Sequence, residues 1–330
     1  MKVKILPRIV QVNDGVSRYT VSLVSGLRAL GLEIVEDSSY DILHLVAAHQ
    51  YAPEWREARA RGKRIVVTVH DLIPEHFGLV GAQYAGVAER REVLEAADVI
   101  VSVSQFTKDD IVRTYHISSE KIVVVHNGVE CCGTGDSSEP MPSSPSDSSY
   151  LLWVGRRAGY KNFFWFLRSV APLLWRKGWR LICTGGQPFG RKERLLLALL
   201  GLWRKCEVVR ADESNMHRLY AGAVCLVMPS LFEGFGLPVI EAMSNGCPVV
   251  VPRAHVFPEI AGDAAAYYSP GNGNDMRKTI EKCSSDRAFR EALILKGRTQ
   301  VQMYSWSKCA TAVFDIYKFV VSDENLVEHR

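Results

Sequence analysis

Between Leu231 and Val250 the chain reads LFEGFGLPVIEAMSNGCPVV, a stretch whose residue types and spacing could do chemistry. The β-branched run from Val224 to Met228 predicts a strand, which would end in a loop carrying Glu233, Gly234 and Gly236. Pro238 then opens a predicted helix, where its fixed φ and missing N–H cost nothing. Glycines let the backbone approach a ligand closely, and a helix N-terminus presents unpaired N–H groups with positive partial charge. Together these features make a cradle for a diphosphate. Glu233 lies just before the cradle, and Glu241, eight positions later, is expected in the first turn of the helix. A carboxylate there can accept two hydrogen bonds from vicinal hydroxyls of a sugar or ribose. Taken alone, the same residues also read as a helix-capping carboxylate with turn glycines.

A second cluster, WVGRRAGYKN, runs from Trp153 to Asn162. Its strand stops at Gly155, and Arg156, Arg157 and Lys161 follow on a loop entering a helix. Cations at the carboxyl end of a strand suit a leaving diphosphate, although an exposed basic loop would look the same. The third cluster is IVVTVHDLIP, which puts His70 and Asp71 at another strand end; a lone histidine there is also a common structural residue. The fourth, Asn13-Asp14-Gly15-Val16-Ser17-Arg18, turns the first strand into a helix. Neither it nor Gly133-Thr134-Gly135 is a GxGxxG fingerprint, so a dinucleotide-binding dehydrogenase lacks its signature here.

These clusters need strands to hold them. Short β-branched runs at Lys2–Leu6, Asp41–Val46, Ile65–Val69, Val99–Val103 and Ile122–Val125 alternate with amphipathic stretches such as Ser17–Leu30 and Tyr84–Ala97. Residues 131–149, rich in Ser, Pro, Gly and Asp, read as a linker. Alternation resumes at Tyr150–Val154, Arg180–Thr184, Glu207–Arg210, Val224–Met228 and Pro248–Val251, and Asp286–Val321 reads as helical throughout. The expected architecture is α/β, with two Rossmann-like, doubly wound domains facing a central cleft and a C-terminal helical tail. The boundaries are 1–130, a linker at 131–149, and 150–330, with the terminal helices either staying on the second domain or crossing back to the first.

With 330 residues, 47% hydrophobic and 23% charged, the chain is an ordinary globular one, not a disordered or fibrous one. Its longest wholly apolar run, Leu195–Trp203, is too short to span a bilayer, and the N-terminus does not read as a signal peptide. The expected location is cytoplasmic. The eight cysteines include no C-x-x-C pair and read as reduced core fillers, with no zinc site expected. Net charge is −5 up to residue 149 and +9 beyond it. A basic second half suits a phosphate-bearing ligand or an anionic membrane; no nucleic-acid motif accompanies it. Basic residues flanking Leu195–Trp203, and a second basic run from Arg56 to Arg64, predict weak, salt-sensitive, peripheral membrane contact. A leucine-rich helix packing on its own sheet is the plain alternative.

Together the four clusters resemble the retaining glycosyltransferases of family four, which have the GT-B fold, and the phrasing is closest to bacterial mannosyltransferase-like members. The E-x7-E spacing of Glu233 and Glu241 carries the resemblance furthest. VTVHDLIP, SVSQFTKDDI, KIVVVHNGV, WVGRRAGYKN, FPEIAGDAAAYYSP and the surroundings of Ser305-Trp306-Ser307 support it. The resemblance implies that Arg156 or Arg157, with Lys161, binds the donor diphosphate. It implies that Glu241 holds the nucleotide ribose and that Glu233 contacts the transferred sugar. Gly234, Phe235, Gly236 and Leu237 would bound the phosphate and sugar, His70 would sit over the reacting sugar, and Gly15 would approach the donor phosphate. The family often shows two glycines where this chain has Asp14-Gly15. The expected reaction moves a hexose, mannose first, from GDP-mannose or a UDP-hexose to a glycan or lipid-linked acceptor in surface polysaccharide synthesis. Neither cofactor nor metal is expected. A sugar-nucleotide epimerase of the same fold and a non-catalytic sugar-nucleotide sensor are the competing readings; a phosphorylase would want a pyridoxal-phosphate lysine and a longer chain.

Overall fold

The computed structural model describes residues 1–7, 15–47, 52–79, 89–129, 149–157, 159–211 and 213–322. The chain divides into two compact units, Met1–Gly128 with Tyr304–Arg330, and Val129–Met303.

The first unit is built on β1 (Lys2–Leu6), α1 (Gly15–Ala29), β2 (Glu33–Ile34), β3 (Ile42–Leu45), α2 (Ala52–Ala60), β4 (Arg64–Val69), α3 (Ile73–Phe77), α4 (Arg90–Ala96), β5 (Val99–Ser102), α5 (Gln105–Tyr115) and β6 (Ile122–Val124). Its six strands are all parallel, in the order β2-β1-β3-β4-β5-β6. Because both faces of a parallel sheet are covered by helices, its strands are near-continuous apolar runs. That is why these strands were legible as β-branched segments. β2, two residues long, shows no such run. The helix expected over Tyr84–Ala97 is described only as α4, since residues 80–88 lie outside the described residues, as does nearly all of the expected linker.

The last helix, Trp306–Ser322, belongs to this unit. Cys309, Ala310, Val313, Ile316, Tyr317 and Val320 join Tyr19, Leu23 and Leu27 of α1 in one buried cluster. Two glycines permit the approach: a Cβ on Gly26 would meet the Ala310 Cβ at 2.5 Å, and one on Gly128 would meet the Trp306 backbone nitrogen at 2.1 Å. His44 of β3 lies fully buried under this helix. Its Nδ1 is 2.5 Å from the Tyr317 hydroxyl and its Nε2 is 2.8 Å from the Thr68 hydroxyl, which in turn lies 3.2 Å from the Tyr19 hydroxyl. Burial, reinforced by the nearby His70, pushes the His44 pKa down to about 3.

The second unit contains β7 (Tyr150–Val154), α6 (Phe163–Lys177), β8 (Arg180–Thr184), α7 (Arg191–Leu199), β9 (Cys206–Val209), α8 (Glu213–Gly222), β10 (Cys225–Val227), α9 (Leu237–Ser244), β11 (Val249–Pro252), α10 (Phe257–Ala261), β12 (Ala266–Tyr268), α11 (Gly273–Ser285) and α12 (Arg287–Val301). Its sheet runs β12-β11-β10-β7-β8-β9, again all parallel. The tail is not one continuous helical run. It breaks over Gln302–Ser305, where Ser305 Oγ accepts from the Lys308 amide at 3.1 Å and so caps the final helix, α13 (Trp306–Ser322). Tyr304 packs edge-on to His126, 5.5 Å between centroids. The second unit therefore ends at Met303. The six described cysteines are all buried and none is in a disulfide; burial pushes the thiols of Cys206, Cys247, Cys283 and Cys309 up to about 12.

Candidate functional site

In the second sheet the winding reverses between β7 and β10, which are hydrogen-bonded neighbours although two α/β units separate them in sequence. At such a switch point the loops leaving the two strands diverge and open a crevice at their carboxyl ends. The two loops leaving here are the ones carrying Arg156–Lys161 and Glu233–Gly236. They are joined by one backbone hydrogen bond, Leu231 N–H to the Tyr160 carbonyl at 2.8 Å.

The β7 loop is held from beneath. The Trp153 indole donates to the Gly155 carbonyl at 3.1 Å and packs against Phe163, 4.8 Å between ring centroids. A short 3-10 turn, Gly159–Lys161, and a left-handed Asn162 (φ 64°) then lead into α6. Lys161 Nζ lies 2.6 Å from Glu233 Oε1, an ion pair that ties the two loops together, with both side chains largely buried.

The neighbouring arginines diverge. Arg156 is exposed, and none of its side-chain atoms is engaged among the described residues. Arg157 is turned inward: its Nε donates to Glu193 Oε1 at 2.7 Å, a second nitrogen donates to the Gln187 carbonyl, and its guanidinium sits 4.9 Å over the Phe189 ring. With its side chain 5% exposed, Arg157 braces the loop after β8 to α7. Sequence reasoning could not separate the two, because both follow the same strand within one residue.

Beyond β10, Glu233 and Phe235 are buried. Gly236 takes φ +87°, a left-handed conformation that side chains resist, and so turns the chain into α9. Leu237 and Pro238 are its first two residues. Glu241 therefore falls at the fifth helical position, past the first turn where it was expected, because the helix begins at Leu237. Its carboxylate accepts a hydrogen bond from the Tyr220 hydroxyl of α8 at 2.7 Å. Tyr220, buried, is a participant that the sequence did not reveal, since its partner lies 21 residues away on another helix. Ser230 was not singled out either. Its buried hydroxyl has no partner among the described residues, three positions before Glu233.

In the first unit, His70 follows directly on β4. Its Nε2 is 2.9 Å from the Val46 carbonyl and therefore carries the proton, and its ring stands edge-on to Tyr19 at 4.8 Å. Gly15, expected in the loop after β1, is the first residue of α1; Asn13 and Asp14 lie outside the described residues.

Two parallel six-stranded sheets with helices between their strands are the architecture of the GT-B glycosyltransferases. Comparison with known proteins agrees. Residues 137–300 match the family described as Glycosyl transferases group 1, and residues 32–131 match Glycosyltransferase Family 4. The chain belongs to these glycosyltransferases. It is 28% identical over 282 residues to O-antigen chain mannosyltransferase B of Escherichia coli, covering 79% of this chain and 71% of that protein. It is 29% identical over 219 residues to O-antigen chain mannosyltransferase RfbU of Salmonella typhimurium, covering 65% of this chain and 59% of that one. Among solved structures, sucrose-phosphate synthase from Thermosynechococcus elongatus superposes with a TM-score of 0.77 at 17% identity, over 97% of this chain and 99% of that one.

Proposed function

We propose that the protein is a retaining hexosyltransferase that moves mannose from a nucleoside-diphosphate donor, GDP-mannose, to a growing glycan or lipid-linked acceptor in surface polysaccharide synthesis. The observation that carries the reading is the convergence of Arg156, Lys161, Glu233 and the start of α9 on adjacent strands at one switch point. Lys161 has three N–H donors, so it can keep Glu233 while giving a hydrogen bond to a phosphate oxygen. Arg156, unengaged on the same loop, supplies the second cation. Glu241, oriented by Tyr220, accepts from the ribose hydroxyls, and Gly234, Phe235, Gly236 and Leu237 line the phosphate and sugar. Gly15 and His70 take the roles that the resemblance gives them, at the donor phosphate and the reacting sugar. Arg157 is left out of the ligand set.

In the reaction the bond from the sugar C1 to the diphosphate oxygen breaks as the acceptor oxygen bonds to C1 from the same face. The acceptor proton passes to the departing phosphate. Arg156 and Lys161 stabilise the charge that grows there. With two cations doing this, one of them held in place by Glu233, a divalent metal is not required. The names of the mannosyltransferase relatives support mannose as the transferred sugar.

The test is nucleoside-diphosphate release from a donor panel with product NMR, run with and without EDTA. GDP-mannose turnover, α-linked product and indifference to EDTA are expected. Turnover of a UDP-hexose alone would reassign the donor, and EDTA loss restored by Mn2+ would overturn the two-cation account. Epimerised donor without transfer would make the protein an epimerase, and binding without turnover would make it a sensor.

A further inference from the structure

The apolar run Leu195–Trp203 is split by its fold. Leu196, Leu197 and Leu202 are buried, whereas Leu195, Leu199 and Trp203 point outward at 62%, 75% and 54% exposure. Trp175, at the end of α6, is also 54% exposed and joins them. Its indole donates to the Leu200 carbonyl at 3.0 Å, and Lys205 places its ammonium 5.0 Å over the ring. Two indoles and two leucines thus stand out on one side of the second unit, where packing on the sheet would have hidden them. Protruding apolar side chains in such a group mark an interaction surface.

The charges around the patch are one-sided. Residues 191–205 carry Arg191, Lys192, Arg194, Arg204 and Lys205 against a single carboxylate, Glu193. That carboxylate is turned inward, bound by Arg157 at 2.7 Å and by the Gly190 amide at 2.6 Å. Arg191, Lys192 and Arg204 make no ion pair among the described residues. The basic run of the first unit is different. Arg56 pairs with Glu89 and Glu92, Arg61 with Glu57, and Arg59 and Arg64 with Asp98. Four of the five cations in that run are thus paired with carboxylates, so it offers less unpaired positive charge than α7 does.

We infer that the exposed face of α7, with Trp175 and Trp203, is a docking surface for an anionic lipid bilayer. Indole rings favour the headgroup level of a membrane, leucines enter the acyl boundary, and surrounding cations are drawn to anionic lipid. A second copy of the chain fits poorly, because a two-fold contact through this patch would set its five cations against the same five. The inference stands apart from the glycosyl-transfer reading and uses none of its residues.

The test is co-sedimentation of the full chain with vesicles of phosphatidylcholine alone and with 30% phosphatidylglycerol (roughly an anionic-membrane composition). Binding to the anionic vesicles is expected, falling about tenfold or more between low and high salt as screening shortens. Leu195→Ser/Leu199→Ser/Trp203→Ser and Lys192→Gln/Arg204→Gln should each weaken it by about tenfold. All five side chains are outward, so thermal midpoints should stay unchanged. Brominated lipid should quench the tryptophan fluorescence of wild type but not of the triple variant. Equal binding to neutral and anionic vesicles, no binding to either, or unchanged binding by both variants would overturn the inference. So would a concentration-dependent dimer that the triple variant abolishes, which would assign the face to a second copy.

Discussion

Lys161 Nζ sits 2.6 Å from Glu233 Oε1, although 72 residues separate the two in sequence. The pair exists because β7 and β10 are neighbours in the sheet, so the loops leaving them share one crevice. A cation and a carboxylate there hold each other in place before a donor arrives, which lowers the ordering cost of binding a diphosphate.

Lys161→Ala should therefore lower kcat by at least ~100-fold, the usual effect of losing one preorganised electrostatic stabiliser. It also strips Glu233 of its partner, so Lys161→Ala/Glu233→Gln should lose less than the sum of the two single variants. Steady-state kinetics of the three variants measures this; strict additivity would show that the pair does not act as a unit.

The two adjacent arginines should separate cleanly. Arg156→Ala is expected to reduce turnover strongly while leaving the unfolding midpoint in place, because its side chain is unengaged. Arg157→Ala leaves Glu193 Oε1 without its cation and opens a gap between Phe163 and Phe189. It should destabilise the fold by about 3 kcal/mol, as breaking a buried pair does. Denaturant melts beside activity assays distinguish the two, and a melt shifted only by Arg156→Ala would reverse the assignment.

Tyr220→Phe removes the hydroxyl that donates to Glu241 Oε2 at 2.7 Å. Losing one such hydrogen bond costs about 1 kcal/mol, so the Kd for the free nucleoside diphosphate should rise about fivefold. Glu241→Gln should raise it further. Calorimetric titration reads both. If neither Kd moves, Glu241 serves α8–α9 packing instead of ribose.

His44 makes stability depend on acid. Its folded pKa is about 3 against an ordinary 6.5, so the unfolded chain takes up a proton between those values that the native chain refuses. Stability from this site is undiminished above about pH 6.5 and falls as pH drops towards 3, by up to ~1.4 kcal/mol per pH unit. His44→Gln should flatten that slope. Urea melts from pH 7 to 4 on both proteins check the difference, and parallel curves would contradict it.

The strands at the site were legible because a parallel sheet buried on both faces leaves continuous apolar runs, and each of the ten expected strands begins and ends within one residue of its observed position. The loops were legible too, since Glu233, Gly234, Gly236 and Pro238 are residue types that a tight turn into a helix demands. β2 and β12 were not: Glu33–Ile34 is only two residues long, and Ala266–Tyr268 contains no β-branched residue. No local pattern says that Tyr304 onwards packs on the first unit, because that depends on Gly26 and Gly128 admitting a helix backbone from far along the chain. Likewise Arg156 and Arg157 are equivalent in sequence. Only the folded chain, by placing Glu193 and Phe189 beside one guanidinium and leaving the other in solvent, decides which arginine is structural. Composition and local spacing set which elements form and what chemistry their ends can hold; the pairing of distant side chains waits on the sheet order, which is a property of the whole chain.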